Sequence, residues 1–206
     1  MKSNSGLVIW LAISMGMVSP AWAARSAKPV AAATVAAETS VTLDTAEADM
    51  LLLMREEEKV ARDVYRLMYQ LWGKPVFRNI AASEQRHMDA LLKKIDLYGL
   101  TDPAPATTGL FTNPDMQALY DSLTAQGRLS VAQALVVGAT IEDKDIRDIS
   151  AAIAETDELA LKMTYSNLLE GSKNHLRAFV KLLTREGIDY RPQFISQAEF
   201  DAIVGI

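Results

Sequence analysis

From Asp44 onward the apolar residues recur every three or four positions, and no stretch alternates with period two for long enough to predict a sheet. The first stripe runs through Met50, Leu53, Met54, Val60, Ala61, Val64, Met68, Leu71 and Trp72. It predicts a helix capped by Asp44 or Thr45 and stopped near Leu71 by Gly73-Lys74-Pro75. A second stripe predicts a helix from about Val76 to Tyr98, with Gly99 as its C-terminal signal. "TDPAPATTGLFTNP" reads as a loop, and Asn113-Pro114 caps a short helix that ends before Gly127. Ser130 opens another long helix to about Ala154. Thr156 or Asp157 opens the last long one, which ends near Glu186-Gly187, and a short helix from Ser196 closes the chain. The expected fold is all-α: an antiparallel four-helix bundle with a long crossover containing a short helix, plus a short C-terminal helix.

Each long helix also aims at least one polar group into its own apolar face. Glu84 sits mid-stripe between Phe77, Ile80, Met88 and Leu91, and His87 lies beside it at i, i+3. Glu142 falls among Leu135, Gly138, Ala139, Ile146 and Ile149, with Asp145 one turn on. On the last long helix Ser172 is mid-stripe and His175 lies beside it. The first helix carries Glu57 at mid-stripe. The chain has only two histidines, and both occupy the same place in the second helix of a hairpin.

Buried carboxylates resist leaving water, and several of them converging repel one another. A bound cation removes both difficulties, so carboxylates and imidazoles at these positions point to a metal site with two ions. Taken singly the pieces have ordinary readings. The "REEEK" run at 55–59 and the "EDKDIRD" run at 142–148 read as solvated helix faces, and Glu58 and Arg62 are spaced for a surface ion pair.

Composition narrows the chemistry. There is no Cys, which excludes disulfides, thiolate zinc sites, iron–sulfur clusters and cysteine nucleophiles. Any metal is held by oxygen and imidazole nitrogen, donors that suit iron or manganese, with zinc as the other choice. The net charge of −5, without a basic cluster, argues against a nucleic-acid partner.

The N-terminus carries Lys2, an apolar run from Gly6 to Val18, and Ala21-Trp22-Ala23. That layout predicts a signal peptide over residues 1–23, cleaved after Ala23, and a run of about 13 residues is short for a bilayer span. Residues 24–45, rich in Ala, Thr and Ser, read as a flexible linker ahead of a domain at 46–206. The expected location is secreted or periplasmic, with no stable membrane insertion after cleavage.

"EEEKVARDVY", "NIAASEQRHMDAL", "ALVVGATIEDKDIRDI" and "NLLEGSKNHLRAF" together resemble the ferritin-like superfamily, of the rubrerythrin and bacterioferritin type. They are most similar to the prokaryotic family known as domain of unknown function 2202. The resemblance covers about residues 46–186. It implies a di-iron or di-manganese centre built from Glu58, Glu84, His87, Glu142 and His175, with Asp145 as an additional carboxylate. It makes Glu58 the ligand of the first helix, whereas the helical wheel favours Glu57, so both stand as candidates. The family pattern has a second bridging glutamate where this chain has Ser172, so either Asp145 substitutes, or the site holds one metal, or the metal chemistry on the His175 side is weakened.

Two functions follow as expectations. One is an exported metal-binding protein that oxidises iron or reacts with oxygen or peroxide. The other is a non-catalytic exported helical binding module whose site is degenerate. Whether the protein is an enzyme stays open at this point, and homodimerisation enters only by analogy with the fold.

Overall fold

The computed structural model of the chain describes residues 42–205. The expected signal peptide, and the linker up to residue 41, lie outside the described residues. Six α-helices follow in order: α1 Thr45–Trp72, α2 Pro75–Leu97, α3 Pro114–Gly127, α4 Val131–Glu155, α5 Leu159–Arg185 and α6 Gln197–Val204. No strand occurs among the described residues. No helix among them is long and apolar enough to cross a membrane. The chain is therefore an all-α bundle of four long helices, as its periodicity predicts.

The helix ends follow local chemistry. Asp44 accepts from the Glu47 backbone N–H while Glu47 reaches back to the Asp44 N–H, a reciprocal cap that fixes the start of α1. Gly73 ends α1 at φ 64°, a left-handed conformation that glycine adopts without steric cost. Ser130, Asn113 and Ser196 cap α4, α3 and α6. The cap of α5 is Glu158 rather than Thr156 or Asp157. Thr156 is instead held by Glu47, to which its hydroxyl donates at 2.6 Å, while it accepts from the Glu158 N–H.

α1 pairs with α2 and α4 with α5, as two hairpins; α1 then packs on α4 and α2 on α5. The contacts run in opposite directions along each pair, so neighbours are antiparallel: Glu47 meets Thr156, and Tyr65 meets Gly138. The segment 98–130 crosses the length of the bundle and lies over α1. Asp102 pairs with Arg55 at 2.8 Å, and the Gly127 carbonyl accepts from the Trp72 indole at 2.9 Å.

That crossover corrects the reading of residues 55–59 as a solvated face: all five are buried. Glu56 accepts from the Thr112 and Asn113 N–H groups at 2.6 and 3.0 Å. The Lys59 ammonium, fully buried, donates to Asp63 at 2.7 Å and to the carbonyls of Thr107 and Leu110 at 2.9 Å. A buried charge with all its donors satisfied is tolerable where an unpaired one is not. Arg62 pairs with Asp63 and Gln85, not with Glu58.

The run 142–148 is corrected in the same way. Asp143, fully buried, accepts from the Tyr190 hydroxyl at 2.9 Å and from the backbone N–H groups of Gln193, Phe194 and Ile195. One carboxylate thereby pins the segment leading into α6 against α4.

Inside, the apolar core forms two blocks. One holds Leu51, Met54, Leu91, Ile95, Ile149, Leu161 and Leu168; the other holds Val64, Tyr65, Phe77, Ile80, Ala139, Leu176 and Phe179. Burying each Val, Leu, Ile, Phe or Met among them stabilises the fold by about 1.5–3 kcal/mol. Between the two blocks, at mid-length, every long helix turns a polar residue inward.

Candidate metal centre

The inward layer is Glu58 from α1, Glu84 and His87 from α2, Glu142 and Asp145 from α4, and Ser172 and His175 from α5, all buried or nearly so. Ligand atoms of Glu58, Glu84 and His87 lie within 4.8 Å of one another, and so do those of Glu84, Glu142 and His175. Glu84 belongs to both groups. One of its oxygens, Oε2, stands 2.8 Å from His87 Nδ1, and the other, Oε1, stands 2.8 Å from His175 Nδ1. Glu58 closes the first group at 3.2 Å from His87 Nδ1, and Glu142 closes the second at 3.3 Å from His175 Nδ1. The two imidazoles stack across this axis with centroids 5.7 Å apart.

These atoms are close without being well bonded. Glu58 Oε1, both Glu84 oxygens, Glu142 Oε2, Asp145 Oδ2 and His175 Nδ1 are all buried and lack a hydrogen-bond partner. Buried polar atoms left without a partner are costly, and an ion between them would satisfy them. Bonds of about 2.1 Å at octahedral or tetrahedral angles set neighbouring donors about 3.0–3.4 Å apart, close to the separations found here. The charge fits as well. With neutral imidazoles, the carboxylates of Glu58, Glu84, Glu142 and Asp145 are balanced by two divalent cations.

In the absence of an ion, the groups perturb one another strongly. Burial alone lowers an imidazole pKa, but the Glu58 and Glu84 carboxylates outweigh it and hold His87 up to about 11. Glu142 and Glu84 do the same for His175, up to about 10. Glu58 is pushed up to about 8, by burial first and by Glu84, against the pull of His87. Burial, then the charges of Glu58, Glu142 and Glu57, drive Asp145 well above the carboxylate range. Glu84 moves the other way: burial pushes it up, but its contacts with His175 and His87 outweigh that and hold it low. Metal binding to such groups displaces protons.

Of the two candidates on the first helix, Glu58 joins the cluster and Glu57 does not. Glu57 forms an ion pair with Lys144, which also donates to Asp148 at 2.7 Å. Asp145 stands near enough to Glu58 and Glu142 to feel both charges. The fourth carboxylate of the layer therefore comes from α4, whereas Ser172 on α5 turns its hydroxyl to the Leu168 carbonyl of its own helix at 3.3 Å.

Two residues of the site escape the sequence reading. Tyr65 donates to Glu142 Oε1 at 2.5 Å, which leaves Oε2 to face His175. Its place seven residues after Glu58, on the same helical face, is the signal that could have found it. Phe77 and Phe179 fix its ring, at centroid distances of 6.4 and 5.4 Å. The second residue is Gly171, where a Cβ would lie 2.6 Å from His87 Nε2 and 2.7 Å from Cε1. Gly171→Ala in a helix ordinarily stabilises by about 1 kcal/mol. Here the methyl forces the imidazole off its axis, so metal affinity at the His87 side is expected to fall by about 10–100-fold while the His175 side stays. Calorimetric titration of wild type and variant checks this. An affinity at the His87 side unchanged from wild type would refute it.

The fold and this layer define the class: an all-α four-helix protein with a buried carboxylate–histidine cluster of the kind that can hold metal ions. Residues 47–206 match the family described as "Uncharacterized protein domain (DUF2202)", and the chain belongs to that family. It is 46% identical over 159 residues to "Uncharacterized protein MJ0754" of Methanocaldococcus jannaschii, an alignment covering 77% of this chain and 86% of that protein. The crystal structure of the hypothetical protein MJ0754 superposes with a TM-score of 0.79 at 44% identity, covering 81% of this chain and 95% of the other.

Proposed function

We propose that this protein is a ferritin-like metal-binding protein that holds two ions, iron or manganese, inside the bundle, and that it acts outside the cytoplasm after export. The observation that carries the reading is Glu84, whose two oxygens each face a different histidine at 2.8 Å and have no hydrogen-bond partner. A carboxylate so placed is suited to bridge two cations. His87 and Glu58 would complete one ion, His175 and Glu142 the other, with Asp145 adding negative charge between Glu58 and Glu142. Bound iron or manganese would supply one-electron chemistry toward oxygen or peroxide. The chain's own part is to orient and exclude water. Tyr65 fixes the Glu142 carboxylate, Gly171 gives room to the His87 ring, and the two apolar blocks seal the layer above and below. The Ala21-Trp22-Ala23 pattern supports export.

A second reading, a binding module without turnover, is favoured by Ser172, which bonds its own helix and leaves His175 as the inward ligand from α5. Anaerobic loading with iron(II), gel filtration and then exposure to air separates the two. Retained iron that consumes oxygen faster than free iron(II) supports redox chemistry, and retained iron that does not supports the binding module. A protein that leaves the column without metal overturns the metal-binding reading and leaves a module whose carboxylates are structural.

A further inference from the structure

Resting on the reading of the cluster as a metal centre, we propose that divalent cations reach it between α1 and α4, and that Lys144 is the tethered cation that closes this route. An open cleft of about 330 Å³ lies on this face, lined by Glu57, Asp115, Lys144, Arg147 and Asp148, with Arg147 paired to Asp148 at 2.6 Å. Next to it along α1 and α4 is a cavity of about 30 Å³, which Glu57 and Lys144 also line and which touches Asp145. That volume takes one or two waters or a single ion. Glu57 and Lys144 are thus common to the open cleft and to a cavity that abuts the metal layer.

The cavity has a second mark of cation passage. Two of its lining residues, Glu57 and Asp145, each carry a buried carboxylate oxygen with no hydrogen-bond partner, Oε2 and Oδ2. The remaining walls are mostly apolar, with Val60, Leu123, Ile141 and Phe194 among them. A cation is costly among such walls, so these two carboxylates and Thr140 are the groups that would hold it there, with Lys144 as the competing charge. The Lys144 ammonium sits between Glu57 and Asp148, where an arriving cation would be drawn. In such a low-dielectric passage a fixed positive charge is a strong barrier to another. An incoming dication competes for the same two carboxylates. The four-carbon lysine stem lets the ammonium swing out to the cleft as Glu57 passes the ion inward to Asp145.

The test is stopped-flow uptake of cobalt(II), read by its d–d absorption, alongside equilibrium titration of the same samples. Lys144→Met is expected to speed uptake by about tenfold or more, and Glu57→Gln to slow it by about tenfold. The stoichiometry and final absorption spectrum should match wild type. Lys144→Gln serves if the methionine variant does not fold. Unchanged or slower uptake in the Lys144 variant, with full cobalt bound at equilibrium, overturns the route and leaves the centre standing. A wild-type protein that binds no cobalt overturns both.

Discussion

Glu84→Gln is expected to empty both halves of the centre at once. Each Glu84 oxygen faces a different histidine at 2.8 Å, so the amide removes one of two donors and the shared negative charge together. Mutations that only disturb the surroundings of a metal ligand cost about 10–100-fold in affinity. Loss of a carboxylate common to both ions should exceed about 100-fold at each. His87→Ala and His175→Ala supply the contrast, since each touches one group: either should remove one ion and leave the other. Metal content measured by plasma spectrometry after loading and desalting gives the answer. Retention of a full complement by Glu84→Gln would show that the ions do not share this residue.

The largest effect on stability is expected from Asp143→Ala. The carboxylate is fully buried and accepts from the Tyr190 hydroxyl and from three successive backbone N–H groups, those of Gln193, Phe194 and Ile195. Removing the acceptor leaves all four donors facing the space it vacates. Each unsatisfied buried donor costs about 1–3 kcal/mol, and water reaching the gap offsets part of that, so a loss of about 3–5 kcal/mol is expected. For a domain of this size the melting temperature should drop by about 10 °C. Asp143→Asn keeps one acceptor oxygen and should lie between. Thermal unfolding by circular dichroism checks the order. A drop below about 1 kcal/mol for Asp143→Ala would mean that the C-terminal segment is held by its apolar contacts alone.

Phe194 belongs to this pinned segment and also walls the cavity beside Asp145. The stability of the tail and the access route are therefore coupled: loosening Asp143 should also speed metal uptake.

The helices and most of their ends are legible in the sequence because the apolar stripes are long and the caps are chemically explicit, as with Asp44, Asn113, Ser130 and Ser196. Glu84, His87, Glu142 and His175 are legible as a convergent group for the same reason, since a polar residue at the centre of a stripe must face the other helices. The choice between Glu57 and Glu58 is not. α1 is covered by α2, by α4 and by the crossover, so it is buried without interruption from Met54 to Tyr65 and has no single stripe. A wheel locates the centre of a narrow stripe and fails on a helix buried nearly all round. The charged runs at 55–59 and 142–148 mislead for a related reason. Glu56 and Asp143 are held by backbone groups of the crossover and of the tail, at 112–113 and 193–195, which have no side-chain signature. Gly171 and Lys144 are invisible without coordinates, because what matters about them is the distance to a residue on another helix.

Two cations that share Glu84 would be seen directly in a crystal. The direct measurement is anomalous-difference density from crystals of the protein soaked in manganese(II). Two peaks are predicted, one on each side of Glu84: the first in contact with Glu58 and His87, the second with Glu142 and His175. Density confined to the protein surface, or a cluster that stays metal-free at saturating manganese, would contradict it.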